Sequence, residues 1–263
     1  MLKTLFSPSR DRRPRFTAPL APENPLCVVG DLHGRADLLE RLLASIDANP
    51  VARQAQLVFV GDLIDRGPDS RGVLDRLYSL SRSGKAFCIL GNHEEMMLQF
   101  LADPVAGLRW LRHGGMATLE SYGIEAPAHL AKRPAEDTPP VQELLDTLRD
   151  RLTLAIGPDI LKWLRNMRTV FANGNIAVVH AGCDPTLPIF EQERDHLIWG
   201  HPQFEQQIRR DSIWVLHGHT VIDLVKPIQG RINVDTGAYL TNRLSAVLIQ
   251  PDGGMKIFDT ELV

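Results

Sequence analysis

The 263-residue sequence contains only three cysteines, at positions 27, 88 and 183, and none of them forms a C-x-x-C pair. This odd, sparse count argues against a disulfide framework and predicts a reducing compartment. Apolar runs of the ~20 residues that span a bilayer are also missing, and the first 16 residues are too poor in apolar side chains for a secretory signal. We therefore expect a cytoplasmic protein that does not bind membranes.

The sequence also has little net charge, with 29 Lys and Arg against 32 Asp and Glu, so no global basic excess marks a nucleic-acid-binding protein. Basic residues are concentrated near the N-terminus, where residues 1–24 also hold four prolines. This composition predicts a flexible basic N-terminal tail and leaves residues 25–263 as the folded domain. With 44% apolar residues, a chain of this length can bury a large core.

Short apolar runs alternate with segments of helical periodicity from residue 26 onward. The runs "LCVVG", "QLVFVG" and "AFCILG" are followed by predicted helices at 35–46, 69–84 and 94–102. This alternation predicts an α/β fold with right-handed crossovers and a mostly parallel sheet. Residues 103–167 contain no strand pattern and predict a helical cap insertion over one edge of the sheet. Further strands are expected at 175–180, 212–216, 231–235, 243–249 and 254–259.

Side chains that can bind metal or transfer protons follow five of the predicted strands. They are Asp31 and His33, then Asp62, Asp65 and Arg66, then Asn92 and His93, then His180, and finally His217 and His219. Because carboxyl ends of strands in an open α/β sheet share one edge, we expect these side chains to converge there. A single Asp or Asn after a strand is usually a helix cap or a turn residue, but independent caps would not recur at five strands.

The chemistry of this set favours transition metals. Imidazole mixed with carboxylate and amide oxygen suits Mn²⁺, Fe or Zn²⁺ better than Ca²⁺. Six potential ligands around Asp62 are too many for one open catalytic metal. They suit two ions about 3.5–4 Å apart, an arrangement that is used on phosphate esters. The sequence thus predicts two divalent metal ions, with Mn²⁺ as the first expectation.

Five motifs in fixed order carry a family resemblance: "GDLHG", "GDLIDRG", "GNHE", "HAG" and "HGHT". They resemble the metal-dependent phosphoprotein-phosphatase superfamily, in particular its bacterial serine/threonine phosphatases and symmetrical diadenosine-tetraphosphate hydrolases. The segments "WLRHGGMATLESYG" (110–123) and "NVDTGAY" (233–239) also look like bacterial members, so that the resemblance covers roughly residues 26–250. It implies a four-layer αββα sandwich around a central pair of sheets.

The resemblance also implies a role for each motif residue. Asp31 and His33 would bind the first metal, Asp62 would bridge both ions, and Asn92, His180 and His219 would bind the second. After attack by a metal-bound hydroxide, His93 would be the general acid, Asp65 would orient it, and Arg66 would bind the phosphate. Whether His217 also binds metal or contacts the substrate stays open.

Two positions depart from the family pattern. Many relatives carry an arginine directly before "GNHE", where this chain has Leu90, and a second one after a tryptophan near residue 199, where it has His201. Two phosphate-binding arginines are therefore missing from their usual places. Arg112, His113 and Arg243 are the candidates to replace them.

Three functions remain open at this point. The first expectation is a serine/threonine protein phosphatase acting on phosphorylated proteins or small phosphate esters. The alternative is a symmetrical dinucleoside-tetraphosphate hydrolase, whose insertion would bind adenine with Trp110, Tyr122 or Trp163, unless these are core residues. The third is a non-catalytic phosphate-binding module, which should have lost a metal ligand, and none is missing. The physiological substrate, the native metal and the oligomeric state are left open.

Overall fold

Two five-stranded sheets are the centre of the computed structural model, which describes residues 15–132 and 142–261. The strands are β1 (Leu26–Val29), β2 (Gln56–Phe59), β3 (Ala86–Cys88), β4 (Phe171–Asn173), β5 (Ile176–Val178), β6 (Trp214–His217), β7 (Pro227–Ile228), β8 (Arg231–Asn233), β9 (Ser245–Ile249) and β10 (Met255–Asp259). The helices are α1 (Ala36–Asp47), α2 (Ser70–Arg82), α3 (Asn92–Ala102), α4 (Met116–Ser121), α5 (Gln142–Ile156), α6 (Pro158–Arg165), α7 (Arg194–Trp199) and α8 (Ala238–Thr241).

The strand order is β10-β9-β1-β2-β3 in the first sheet and β4-β5-β6-β8-β7 in the second. Neighbours within β1-β2-β3 and within β5-β6-β8 are parallel, whereas β9, β10, β4 and β7 pair antiparallel. The expectation of one mostly parallel sheet is therefore wrong. The first sheet joins the antiparallel strands β9 and β10 to one side of the parallel strands β1-β2-β3, and the second has a parallel centre with antiparallel edge strands β4 and β7, which were not predicted.

The strands bury both of their faces, which produces the layers. Val28, Val58, Val178 and Leu216 point into the space between the sheets. Their neighbours along β1 and β2, such as Cys27 and Phe59, point the other way, because successive strand residues face opposite sides. Helices cover the first sheet, while short α7 and irregular segments cover the second. The αββα sandwich implied by the family resemblance is confirmed.

The described part of the insertion, residues 103–132 and 142–167, is helical and contains no strand. Helices α4 and α6 contact α2, and α5 contacts α3, so these helices lie beside the β3 edge. Trp110 is fully buried, Tyr122 is 9% exposed, and the ring of Trp163 packs 5.8 Å from that of Tyr78. These three aromatic residues therefore belong to the core and do not offer a surface for adenine. None of the helices in the described ranges is long and apolar enough to cross a membrane.

Residues 15–24 form neither helix nor strand, but they are held against the second sheet. The ring of Phe16 lies 5.0 Å from that of Trp214, whose Nε1 donates to the carbonyl of Ala18 at 3.0 Å. The backbone N–H of Ala21 donates to Asn175 Oδ1 at 2.9 Å. The prediction of a flexible tail over residues 1–24 is thus wrong for residues 16–24, and residues 1–14 lie outside the described part of the chain.

Candidate metal centre

The predicted metal ligands lie at the carboxyl ends of β1, β2, β3, β5 and β6, mostly in tight loops, with Asn92 as the first residue of α3. Five of the predicted site residues have a left-handed backbone, a conformation that is uncommon for residues other than glycine: their φ angles are 45° for His33, 50° for Asp62, 73° for Asp65, 68° for Arg66 and 69° for His219. Such strained residues persist only where the surrounding structure fixes them, and they cluster at functional sites.

Asp62 lies at the centre of the cluster. Its Oδ2 is 3.5 Å from His33 Nε2 and 3.8 Å from His93 Nε2, and its Oδ1 is 3.3 Å from His180 Nε2. The described residues contain two groups whose ligand atoms are close enough to hold a metal ion, namely His33, Asp62 and His93, and Asp62, His180 and His219. Each carboxylate oxygen faces a different group, as a bridge between two ions requires.

The remaining predicted ligands adjoin these groups. Asn92 Oδ1 lies 2.9 Å from His180 Nε2 and 3.0 Å from His219 Nδ1. The carboxylate of Asp31 accepts from the backbone N–H of His219 at 3.1 Å. A Cβ atom on Gly218 would lie 1.9 Å from Asp31 Oδ1, which explains the glycine in this motif. All six predicted ligands are therefore brought together.

The charges of the centre suit a divalent cation. Burial lowers the pKa of His33 to about 3 and that of His219 to about 4, so these imidazoles are neutral and keep a lone pair. Burial, Asp235 and Asp62 raise the pKa of Asp31 well above its usual range. Burial would also raise the pKa of Asp62, but nearby imidazoles outweigh it and lower that pKa. Neutral imidazoles beside crowded carboxylates are a donor set that fits first-row divalent ions.

Glu94 is a buried residue of the site that sequence reasoning did not assign. Its carboxylate accepts the backbone N–H groups of Gly91, Asp62 and Leu63 at 3.0, 3.0 and 2.8 Å. It therefore ties the loop after β2 to the start of α3. Burial and the charge of Asp62 raise its pKa to about 7. The sequence pattern could have predicted this role, because a glutamate in the first turn of a helix often accepts hydrogen bonds from free backbone N–H groups there.

The predicted general acid, His93, is buried next to its predicted partner. Its Nδ1 lies 2.7 Å from Asp65 Oδ2. Asp65 also accepts from Trp110 Nε1 at 2.9 Å and from Thr118 Oγ1 at 2.6 Å. Burial lowers the pKa of His93, but Asp62 and Asp65 outweigh it, and the net shift of the pKa is upward. Trp110 and Thr118 were not assigned to the site from the sequence.

Arg66 lies between the metal-capable residues and the surface. Its Nη1 is 3.0 Å from His33 Nε2, and its guanidinium lies 4.6 Å from the ring centre of Tyr239. Tyr239 in turn makes an edge contact with His33 at 5.0 Å. Arg66 thus places its positive charge next to the candidate metal ligand His33, where the phosphate is predicted to bind. Tyr239, in the "NVDTGAY" segment, was not assigned a role from the sequence.

His217 and Arg243 are two further candidates for a substrate contact. The ring of His217 packs against Phe204 at 5.0 Å on the outer face of the second sheet, and burial lowers its pKa to about 4. Arg243 is bound to the carboxylate of Asp259 and to the carbonyl of Asp223 at 2.9 Å. The surroundings of these two residues do not favour a substrate contact, because His217 alternates with inward-facing Leu216 and Arg243 is already paired, and the contact stays a prediction.

Arg112 and His113 are the other candidates to replace the missing arginines, and they lie in a π-helical turn, Leu111–Gly115. His113 is exposed and its Nδ1 lies 2.7 Å from the carbonyl of Arg109. The Nε of Arg112 is buried without a hydrogen-bond partner among the described residues. Of the two positions without arginine, Leu90 is buried, and His201 lies 3.7 Å from Asp184. A substrate contact by Arg112 or His113 stays a prediction.

Comparison with known proteins identifies the domain. The family model of calcineurin-like phosphoesterases matches residues 25–223. The bis(5'-nucleosyl)-tetraphosphatases PrpE [asymmetrical] of Oceanobacillus iheyensis and Bacillus subtilis are each 27% identical over 83% of this chain and over 86% and 88% of their own length. The symmetrical bis(5'-nucleosyl)-tetraphosphatase of Ralstonia nicotianae is 37% identical, but over only 35% of this chain and 38% of its own length.

Solved structures agree with this assignment at the level of the fold. A structure provisionally described as a diadenosine tetraphosphatase superimposes with a TM-score of 0.60 at 22% identity, over 92% of this chain and 98% of its own. A serine/threonine protein phosphatase of Saccharomyces cerevisiae gives a TM-score of 0.52 at 15% identity, over 90% of this chain and 80% of its own. The chain belongs to the calcineurin-like phosphoesterase family, and it is a hydrolase of phosphate esters.

Proposed function

We propose that this protein hydrolyses bis(5'-nucleosyl) tetraphosphates with the help of two divalent metal ions. The observation that carries the proposal is the extent of the alignment with relatives of that name, which reaches 83% of this chain and 86% and 88% of theirs. This favours the alternative from the sequence over a serine/threonine protein phosphatase. Protein phosphatases resemble the chain only in fold, at 15% identity.

We infer an asymmetrical cleavage, although the sequence suggested a symmetrical one. The relatives named symmetrical match between 35% and 61% of this chain and between 38% and 44% of their own length. Those named asymmetrical match most of both chains. Asymmetrical hydrolysis adds one water across a P–O–P bond next to a terminal nucleoside phosphate. The products are one nucleoside triphosphate and one nucleoside monophosphate.

The positions of the candidate ligands support this chemistry. Asp31 and His33 would hold one ion, and Asn92, His180 and His219 the other, with Asp62 shared by both. Two bound divalent ions supply positive charge that polarises the phosphate and acidifies water. Arg66, next to His33, would bind phosphate oxygens through its guanidinium. His93 would hold a proton on Nε2 for the leaving oxygen, because its Nδ1 is occupied by Asp65.

Analysis of the products tests the proposal. The purified protein is incubated with diadenosine tetraphosphate and MnCl₂, and the nucleotides are separated by ion-exchange chromatography. We expect ATP and AMP in equal amounts. Formation of two ADP molecules would instead indicate symmetrical cleavage. Failure to cleave the dinucleotide by a preparation that dephosphorylates a phosphoserine peptide would overturn the proposed substrate class.

A further inference from the structure

A partly exposed tryptophan lies on α7, a short helix that is hydrogen-bonded to the loop after β5 at the candidate metal centre. Trp199, the last residue of α7, is 37% exposed. Helix α7 is attached to the centre because the carbonyl of Leu197 accepts the backbone N–H of Ala181 at 2.8 Å. Ala181 directly follows the candidate ligand His180. An aromatic ring that is exposed next to an active site is a natural binding surface, because it offers a large, flat and apolar face.

The indole is held in place by a continuous series of contacts. The guanidinium of Arg109 lies 4.9 Å from the ring centre of Trp199, and its Nη2 donates to Gln99 Oε1 at 3.1 Å. Gln99 Nε2 donates to Glu95 Oε1 at 3.2 Å, and the same oxygen accepts from Arg194 Nη1 at 2.9 Å. Arg194 is the first residue of α7, so both ends of this helix are fixed to α3. A ring that is already fixed loses little entropy when it binds a ligand.

The location of this surface fits a long substrate. Helix α3 begins with the candidate ligand Asn92, and Gln99 follows seven residues later. At the rise of an α-helix this separation is about 10 Å along the axis. A nucleobase stacked at Trp199 would therefore lie several bonds away from a phosphorus atom at the metal centre. A polyphosphate chain can span such a distance, whereas a phosphoserine side chain cannot.

We propose that Trp199, backed by Arg109, stacks one nucleobase of the substrate. This inference rests on the proposed function and adds the site that binds the base. Stacking on an aromatic side chain accepts any base, since every base has a π face. The guanidinium of Arg109, 4.9 Å from the ring centre, also adds a positive charge to this surface. Arg109 comes from the helical insertion, which thus contributes to the base site through a residue other than the buried aromatic ones.

Steady-state kinetics of Trp199→Ala tests the inference. The readout is kcat/KM for diadenosine tetraphosphate divided by kcat/KM for p-nitrophenyl phosphate, which has no base. We expect the ratio to fall at least about fivefold, mainly through the KM for the dinucleotide, and Trp199→Phe to restore most of it. Leu154→Ala removes another exposed apolar side chain, 85% exposed on α5, and should leave the ratio unchanged. An unchanged ratio in Trp199→Ala would overturn the inference.

A second measurement separates this inference from the proposed function. AMP and ribose 5-phosphate are compared as inhibitors of p-nitrophenyl phosphate hydrolysis, since they differ only in the base. We expect AMP to be the stronger inhibitor of the wild type, and Trp199→Ala to remove the difference. If that result is obtained but diadenosine tetraphosphate is not cleaved, the base site stands and the substrate proposal fails. Equal inhibition of the wild type by both compounds would contradict the base site.

Discussion

The Nδ1 atom of His93 lies 2.7 Å from Oδ2 of Asp65, and both side chains are buried. The oxygens of Asp65 also accept hydrogen bonds from Trp110 and Thr118, so its carboxylate is surrounded by donors. Burial raises the pKa of Asp65, and the hydrogen bonds from His93, Thr118 and Trp110 act against that rise. At His93 the charges of Asp62 and Asp65 outweigh burial, and the net shift of its pKa is upward.

The leaving group decides how much the proton of His93 matters. A serine alkoxide is a poor leaving group, whereas p-nitrophenolate leaves without help. Protonation by a positioned acid is worth roughly 10²–10⁴ in rate. We therefore expect His93→Asn to lose at least about tenfold more kcat on glycerol phosphate, whose leaving alkoxide resembles that of serine, than on p-nitrophenyl phosphate. Equal losses on the two substrates would remove His93 from the general-acid role.

The pH dependence of kcat reports on Asp65. The acid form of His93 is present below its pKa and is lost as the pH rises through it. Because Asp65 contributes to the raised pKa of His93, Asp65→Asn should move the alkaline limb of the pH profile to lower pH. Metal content is measured on the same preparation, since loss of metal would mimic loss of activity. An alkaline limb that does not move, with metal retained, would show that Asp65 does not control this proton.

Variants of Thr118 test whether the hydrogen-bond donors around Asp65 help to position the general acid His93. Its Oγ1 donates to Asp65 Oδ1 at 2.6 Å and also accepts the backbone N–H of Asp65 at 3.0 Å. Thr118→Val keeps the shape but removes both hydrogen bonds, one of them to a buried carboxylate, at a cost of about 1–3 kcal/mol. We expect a larger loss on glycerol phosphate than on p-nitrophenyl phosphate, with recovery in Thr118→Ser. A loss that is equal on both substrates would indicate a structural role alone.

His217 is expected to affect stability and not metal binding. In the unfolded chain a histidine takes up a proton near pH 6.5, but burial delays this in the folded protein to about pH 4. His217 therefore makes the folded state less stable as the pH falls across this window. Relative to His217→Gln, the wild type should lose on the order of 3 kcal/mol of unfolding free energy between pH 7 and pH 4. Equilibrium urea unfolding measures this difference, and loss of a metal ion in the variant would contradict the assignment.

Much of the site could be predicted because its residues follow local signals. Asp31, Asp62 and Asn92 each come directly after an apolar run and a glycine, and parallel strands bring such ends together. The division into two sheets could not be predicted in the same way. Strands buried on both faces have the same apolar pattern whichever sheet they join, so β2 and β5 look alike in sequence.

The parts that were missed depend on contacts between distant residues. Thr118 and Trp110 bind Asp65 across 53 and 45 residues, and no local pattern marks such a partner. The partners of His217 and Arg243 were missed for a related reason. Their position in the sequence is close to the motifs, but strand alternation in β6 turns His217 outward, and Asp259 of β10 binds Arg243. Sequence spacing does not reveal which neighbour a charged side chain will find.

We propose that Asp62 joins two metal ions in an enzyme that cleaves dinucleoside tetraphosphates. The most direct measurement is Mn²⁺ stoichiometry together with turnover of diadenosine tetraphosphate in the wild type, Asp62→Asn and Asp37→Asn. Asp37 is the matched control, because its side chain is 58% exposed and pairs with Arg35 away from the metal-capable groups. We predict two ions and turnover in the wild type and Asp37→Asn, and loss of at least one ion and about 10³-fold of turnover in Asp62→Asn. Unchanged turnover in Asp62→Asn, or full turnover by metal-free protein in EDTA, would contradict the account.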